Sequence, residues 1–203
     1  MGEYVAEEIA ILQEMGELPS FDLCLLCGDF YDYPDLRKLG GTGDVTPALN
    51  ALSHLAPKTL AVLGNHDQVV EADLRSTIKI LDGHMVETAA FTVGGVSGIV
   101  GNPKRNNRKS EADFLKAIRT TFRQTNAHCS NSRVDLLLLH QGPRGETAQE
   151  KRLISINQQL MTRSELLILF GHCHWDRAFY REGKNLFCNV DAKVIAFLPM
   201  VTG

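Results

Sequence analysis

Four polar clusters in this chain carry side chains able to bind a metal ion or move a proton: Gly28-Asp29, Gly64-Asn65-His66-Asp67, His140, and Gly171-His172-Cys173-His174. A carboxylate such as Asp29 can bridge two cations through its two oxygens. The amide oxygen of Asn65 can coordinate a cation without adding negative charge. Imidazoles such as His140, His172 and His174 are common ligands of divalent metals. His172 and His174 are one residue apart, so they share a face in extended backbone and diverge where the chain turns. His66 is a candidate proton donor, or a positive partner for a phosphate oxygen, and Asp67 is a candidate to orient it by accepting from its second ring nitrogen. Each cluster also has a plainer reading. Gly-Asp starts turns, Asn tolerates left-handed backbone, and a histidine closing a core strand often serves only as a hydrogen-bonded structural residue. Asp32 is either a supporting group or part of a loop.

The clusters gain weight together because each follows an apolar run. Residues 21–27, 59–63, 134–139 and 166–170 read as buried strands, continuously apolar rather than alternating, as in a sheet covered on both faces. Ligands at the ends of several strands would converge at one sheet edge, where catalytic groups concentrate. Helical spacing of Val5, Ile9, Leu12 and Met15 predicts a helix over 4–15. Further helices are expected over 45–55, 69–75, 110–122 and 149–160, with Ser110 and Asp113 forming a capping box. Short strands are expected over 78–81, 85–88 and 91–93, then turns or close backbone approach at Gly94, Gly95 and Gly98. The tail reads as strands over 177–180, 186–190 and 194–198, with Gly183 as a hairpin turn and an antiparallel arrangement. The pattern predicts a mixed α/β sandwich of two sheets flanked by helices.

Composition narrows the function classes. With 203 residues, 44% of them hydrophobic, one well-filled domain over 1–203 is the expectation. A formal charge of -3 argues against wrapping nucleic acid, although the basic stretch 104–109 could meet a phosphate. No apolar stretch reaches membrane-spanning length, and the glutamate-rich start does not read as a signal peptide, so a cytoplasmic location is expected. Five cysteines without a framework fit a reducing compartment. Cys24 and Cys27 form a CxxC inside an apolar run and read as buried small hydrophobes rather than a redox pair.

In order and spacing, Gly28-Asp29, Gly64-Asn65-His66-Asp67, His140 after four leucines and Gly171-His172-Cys173-His174 resemble the motifs of the calcineurin-like metallophosphoesterases, a family of metal-dependent phosphatases, phosphodiesterases and nucleases. The resemblance covers roughly residues 23–189. It implies a four-layered, metallo-dependent phosphatase-like double β-sheet sandwich flanked by helices, with metals at the strand ends. By the same resemblance, Asp29 would bridge two metals, Asn65, His140 and His172 would complete the second, and His174 would serve the first. His66 would be the catalytic histidine, supported by Asp67. The implied reaction is hydrolysis of a phosphomonoester or phosphodiester by a metal-activated water.

The family's opening strand ends in Asp-x-His, and no such motif precedes Asp29 here. The first site is therefore expected to be incomplete and the second complete. One or two divalent ions (manganese, iron, zinc or nickel) are the expected cofactors. The missing strand also leads to an expectation of exposed pairing edges, which another strand or a homo-oligomer would fill. The expected partner is a phosphorylated small molecule or a phosphodiester, without membrane; the residues give nucleic acid no specific support. The competing reading is a catalytically weak or inactive member acting as a binding or scaffold protein.

Overall fold

A computed structural model describes residues 2–31, 41–123, 134–142, 154–161, 165–172 and 177–198. The chain opens with α1 (Gly2–Glu14), β1 (Cys24–Leu26), β2 (Gly43–Asp44), α2 (Thr46–Leu52), β3 (Thr59–Ala61), β4 (Asp67–Gln68) and β5 (Ile78–Ile80). It continues with β6 (His84–Glu87), β7 (Thr92–Val96), β8 (Ile99–Val100), β9 (Arg108–Lys109), α3 (Glu111–Arg123) and β10 (Leu136–Gln141). The last elements are α4 (Ile154–Met161), β11 (Leu167–Gly171), β12 (Phe179–Glu182) and β13 (Asn185–Asn189). The protein is thus mixed α/β. No described helix is long and apolar enough to cross a membrane.

Two sheets carry the architecture. One is parallel, in the order β1-β3-β5; the other runs β12-β13-β11-β10-β7-β6. Side chains alternate between faces along a strand, and β10 shows the consequence. Leu136 and Leu138 join a cluster with Leu60, Val62 and Leu81, placing that core against the three-stranded sheet. Leu137 and Leu139 join Phe114 and Ile118 of α3 and Ile156 and Leu160 of α4 on the opposite face. A third cluster sets α1 and α2, through Ala6, Ile9, Leu49 and Leu52, against Leu26 and Ala61. Leu138 is fully buried, and burying one such side chain contributes about 2 kcal/mol. The all-apolar strands are therefore the ones covered on both sides.

Several elements differ from the sequence expectation. Gly94 and Gly95 lie inside β7 rather than in a turn. They do serve close approach: a Cβ on Gly94 would overlap Thr121 of α3, and one on Gly95 would fall 2.6 Å from Leu81 Cβ. Residues 69–75 hold only a 3-10 turn, Glu71–Asp73, with no buried residue to anchor a longer helix. Residues 194–198 form no strand; Val194, Phe197 and Leu198 are exposed there. The tail is only partly antiparallel. β12 and β13 form the expected hairpin at Gly183, but β13 runs parallel to β11. The N-cap half of the expected capping box is present, with the Asp113 N–H donating to Ser110 Oγ at 3.1 Å, and the Asp113 carboxylate accepts from the Ser110 hydroxyl.

Candidate metal centre

Asp29, His140 and His172 come together although 111 residues separate the first from the second (140 − 29). One ligand atom from each lies within 4.8 Å of the others. The group could hold a metal ion. Asp29 and His172 are half-buried and His140 is fully buried.

Each residue is aimed by a specific backbone feature. Asp29 follows β1 and has a left-handed φ of 58°, after Gly28 at 83°. A Cβ on Gly28 would overlap the Gly64 backbone, so only glycine lets the first and second clusters touch. A Cβ on Gly64 would in turn collide with the Asp29 carboxylate. His140 lies within β10 rather than beyond its end, as the sequence suggested, at a bulge in the pairing with β11. Bulges re-aim side chains beside functional sites. Here His140 Nδ1 is 2.7 Å from the Cys27 carbonyl, which makes Nδ1 the protonated nitrogen and leaves Nε2 facing Asp29 Oδ2 at 3.2 Å. Strict alternation along β11 would send His172 to the face of Phe170. A left-handed φ of 63° at His172 breaks that alternation, and its ring meets His140 edge-on at a centroid distance of 5.1 Å. Left-handed backbone costs a residue with a Cβ about 1–2 kcal/mol, and such strain concentrates at functional sites.

The polar chemistry also fits a cation. Among the described residues, Asn65 Oδ1 is buried without a hydrogen-bond partner, while His140 Nε2 meets the Asp29 carboxylate. Leaving a buried polar atom unpaired costs about 1–3 kcal/mol, a cost that a cation on the Asn65 amide oxygen would remove. Asn65 sits on the turn that cradles Asp29. Burial alone would push the Asp29 carboxyl up, but the imidazole of His140 and the N–H and charge of His66 outweigh it and hold the carboxyl below its usual range. Burial alone would lower His140, yet Asp29 and the Cys27 carbonyl outweigh that and raise it. In the metal-free protein the pair therefore favours imidazolium and carboxylate.

Asp67 has a different role from the one expected. Its Oδ2 accepts the N–H groups of Asp29 at 2.7 Å and Gly64 at 2.8 Å. Its Oδ1 accepts those of Phe30 at 2.8 Å and Tyr31 at 3.2 Å. The fully buried carboxylate thus clamps the loop after β1 instead of orienting the His66 ring. The His66 ring is held by the Gly41 carbonyl at Nδ1, while its backbone N–H donates to Asp29 Oδ1 at 3.1 Å. His174, expected as a ligand of the first metal, lies outside the described residues, as do Cys173 and Asp32.

Residue types carry no sign of the Cys27 and Gly41 carbonyls, because any residue supplies a carbonyl. Asn106 and Asn107 were also missed. Their amide groups donate to the carbonyls of Asp67 and Gly64, each at 2.8 Å, and hold the loop 102–108 against the His66 turn. The CxxC behaves as expected: Cys24, Cys27 and Cys188 are free thiols. Burial pushes Cys24 up to about 11 and raises Cys27 further, so neither is poised as a thiolate ligand.

No family model matches the chain, and comparison with curated proteins yields no match.

Proposed function

We propose that the protein is a metal-dependent phosphoesterase with the double-sandwich fold of the calcineurin-like metallophosphoesterases. One observation carries the reading: Asp29, His140 and His172 bring one ligand atom each within 4.8 Å of one another, with Asp29 and His172 held on left-handed backbone. Asp29, Asn65, His140 and His172 would hold the ion, with His174 available to a second. Mixed nitrogen and oxygen ligation suits manganese, iron, zinc or nickel. A bound divalent ion would supply positive charge against the phosphate and lower the pKa of a water to give a nucleophile at neutral pH.

The chain's own residues account for the remaining steps. His66 stands outside the ligand group, and its Nδ1 is fixed on Gly41 O, so Nε2 is the nitrogen left to face substrate. In its protonated form Nε2 would donate to the leaving oxygen as the ester bond to phosphorus breaks. Asp29 ties this histidine to the centre by accepting its backbone N–H. Asp67 keeps Asp29 in place through the N–H groups of residues 29–31.

The test is turnover of 4-nitrophenyl phosphate and bis(4-nitrophenyl) phosphate with and without manganese, with metal content measured on the same samples. Metal-dependent turnover is expected, reduced about 10²–10⁴-fold by His66→Ala. Manganese uptake without turnover would favour the non-catalytic binding protein instead. No uptake at saturating manganese would overturn the metal centre itself.

A further inference from the structure

We propose that the loop 102–108 forms a subsite for a second phosphate group, so that the substrate is a small molecule phosphorylated at two positions. This rests on the phosphoesterase reading and narrows its substrate class. The loop is anchored to the turn that carries His66. Asn106 Nδ2 donates to Asp67 O, and Asn107 Nδ2 donates to both Gly64 O and Asp67 O. Arg105 is bonded directly to Asn106, so the two Cα atoms are about 3.8 Å apart.

The loop displays cations that the protein does not neutralise. Lys104 and Arg105 are exposed and Arg108 is half-buried. Among the described residues none of the three side chains forms an ion pair or a hydrogen bond. Lys109 differs: it pairs with Asp82 at 3.0 Å and donates to Ser97 O at 2.8 Å. A floppy basic loop would relieve the repulsion of three like charges by spreading, but this one is framed against doing so. Asn102 accepts the N–H of Lys104 on its side chain and that of Arg105 on its carbonyl. Ile99 N–H donates to Asn107 O at 3.0 Å, and Gly101 N–H donates to Lys109 O at 2.8 Å. Asn107 itself has a left-handed φ of 46°. Cationic side chains carried on a framed backbone without counter-charges set up a positive potential beside the His66 turn that favours an anion.

A doubly phosphorylated small molecule fits this patch better than a nucleic-acid strand. Residues 92–113 contain no aromatic side chain on which bases could stack, and the net charge of the chain is -3.

Calorimetry on the full, manganese-treated chain tests the subsite, with fructose 1,6-bisphosphate and fructose 6-phosphate as probes. The variants are Lys104→Gln/Arg105→Gln and the charge-keeping Lys104→Arg/Arg105→Lys; both positions are exposed, and thermal melts confirm folding. The bisphosphate is expected to bind about tenfold more tightly than the monophosphate, the scale of one charge-assisted hydrogen bond. The Gln variant should lose that preference with monophosphate binding unchanged, and the charge-keeping variant should retain it. Equal affinities for the two sugars in the unaltered chain, or a preference that survives the Gln variant, would overturn the subsite. A 12-mer of thymidylate that binds more tightly than the bisphosphate, with loss in the Gln variant, would overturn it in favour of a nucleic-acid groove. Metal uptake on the same samples separates the two readings. Uptake without bisphosphate preference leaves the metal centre standing and removes the subsite. A preference that depends on Lys104 and Arg105 without metal uptake leaves the anion subsite and removes the centre.

Discussion

His140 Nε2 lies 3.2 Å from Asp29 Oδ2, while the other ring nitrogen of His140 is bound to the carbonyl of Cys27, two residues before that aspartate. A single histidine thus reads both the backbone and the side chain of the segment leaving β1. The Cys27 carbonyl fixes the tautomer, and the fixed tautomer presents Nε2 to the site. A carbonyl on the second nitrogen of a histidine is the usual device for orienting a metal ligand.

Removal of that ring should remove the metal. Changing a residue that merely supports a ligand typically costs 10–100-fold in metal affinity, so His140→Ala should cost more than about 100-fold. Manganese content after equilibrium dialysis checks this. Retention of stoichiometric metal in His140→Ala would exclude the residue as a ligand.

The same pair gives the metal-free protein a pH dependence with a definite sign. His140 is raised above its usual 6.5 on folding. Its contribution is fully present below 6.5 and is lost as pH rises through the higher folded value. Asp29 is lowered below its usual 3.8, so its contribution is present above 3.8 and is lost as pH falls through the lower folded value. The urea midpoint of the metal-free chain should therefore decline as pH is raised above 6.5. His140→Gln should flatten that decline. Metal binding needs the neutral imidazole, so manganese should bind more weakly at acid pH and release protons as it binds.

Asp67→Ala should be a stability variant before it is a catalytic one. It strands the N–H groups of Asp29, Phe30, Tyr31 and Gly64, which the carboxylate now accepts. At about 1–3 kcal/mol for each buried group left unpaired, the loss should reach at least ~3 kcal/mol. Denaturant unfolding measures it. An unchanged midpoint would show that water replaces the clamp.

His172→Gly should separate function from stability. The left-handed φ of 63° suits glycine, so the metal-free variant should gain up to about 1 kcal/mol from relief of strain while losing metal. A clear fall in melting temperature would mean that the His172 ring contact with His140 outweighs the strain.

Gly64→Ala probes the contact between the clusters. A methyl group there would collide with the Asp29 carboxylate. Overpacking of this kind costs about 1–3 kcal/mol, and manganese affinity should fall because Asp29 must move. Wild-type affinity in a folded Gly64→Ala chain would argue against Asp29 as a ligand in its present position.

Much of this molecule is legible in its sequence, and the reason is chemical. The apolar runs around Leu60, Leu138 and Ile168 announce strands covered on both faces, and Gly28, Gly64 and Gly171 mark where they give way to polar residues. Asp29, His140 and His172 are recognisable as candidate ligands from their donor atoms. What the sequence could not show is who faces whom. Three of the four partners of Asp67 lie 36–38 residues away along the chain, and all four are backbone groups, which leave no mark on residue type. The bulge at His140 and the left-handed turn at His172 likewise depend on how β10 and β11 pair. Residues 194–198 are apolar enough to read as a strand, yet they form none, because a strand needs a neighbour as well as a propensity. The sequence by itself determined the candidate ligand types and the apolar runs that carry them. The tertiary structure decided that the ends of three of those runs meet, because convergence depends on sheet order and register, which only the packed core specifies.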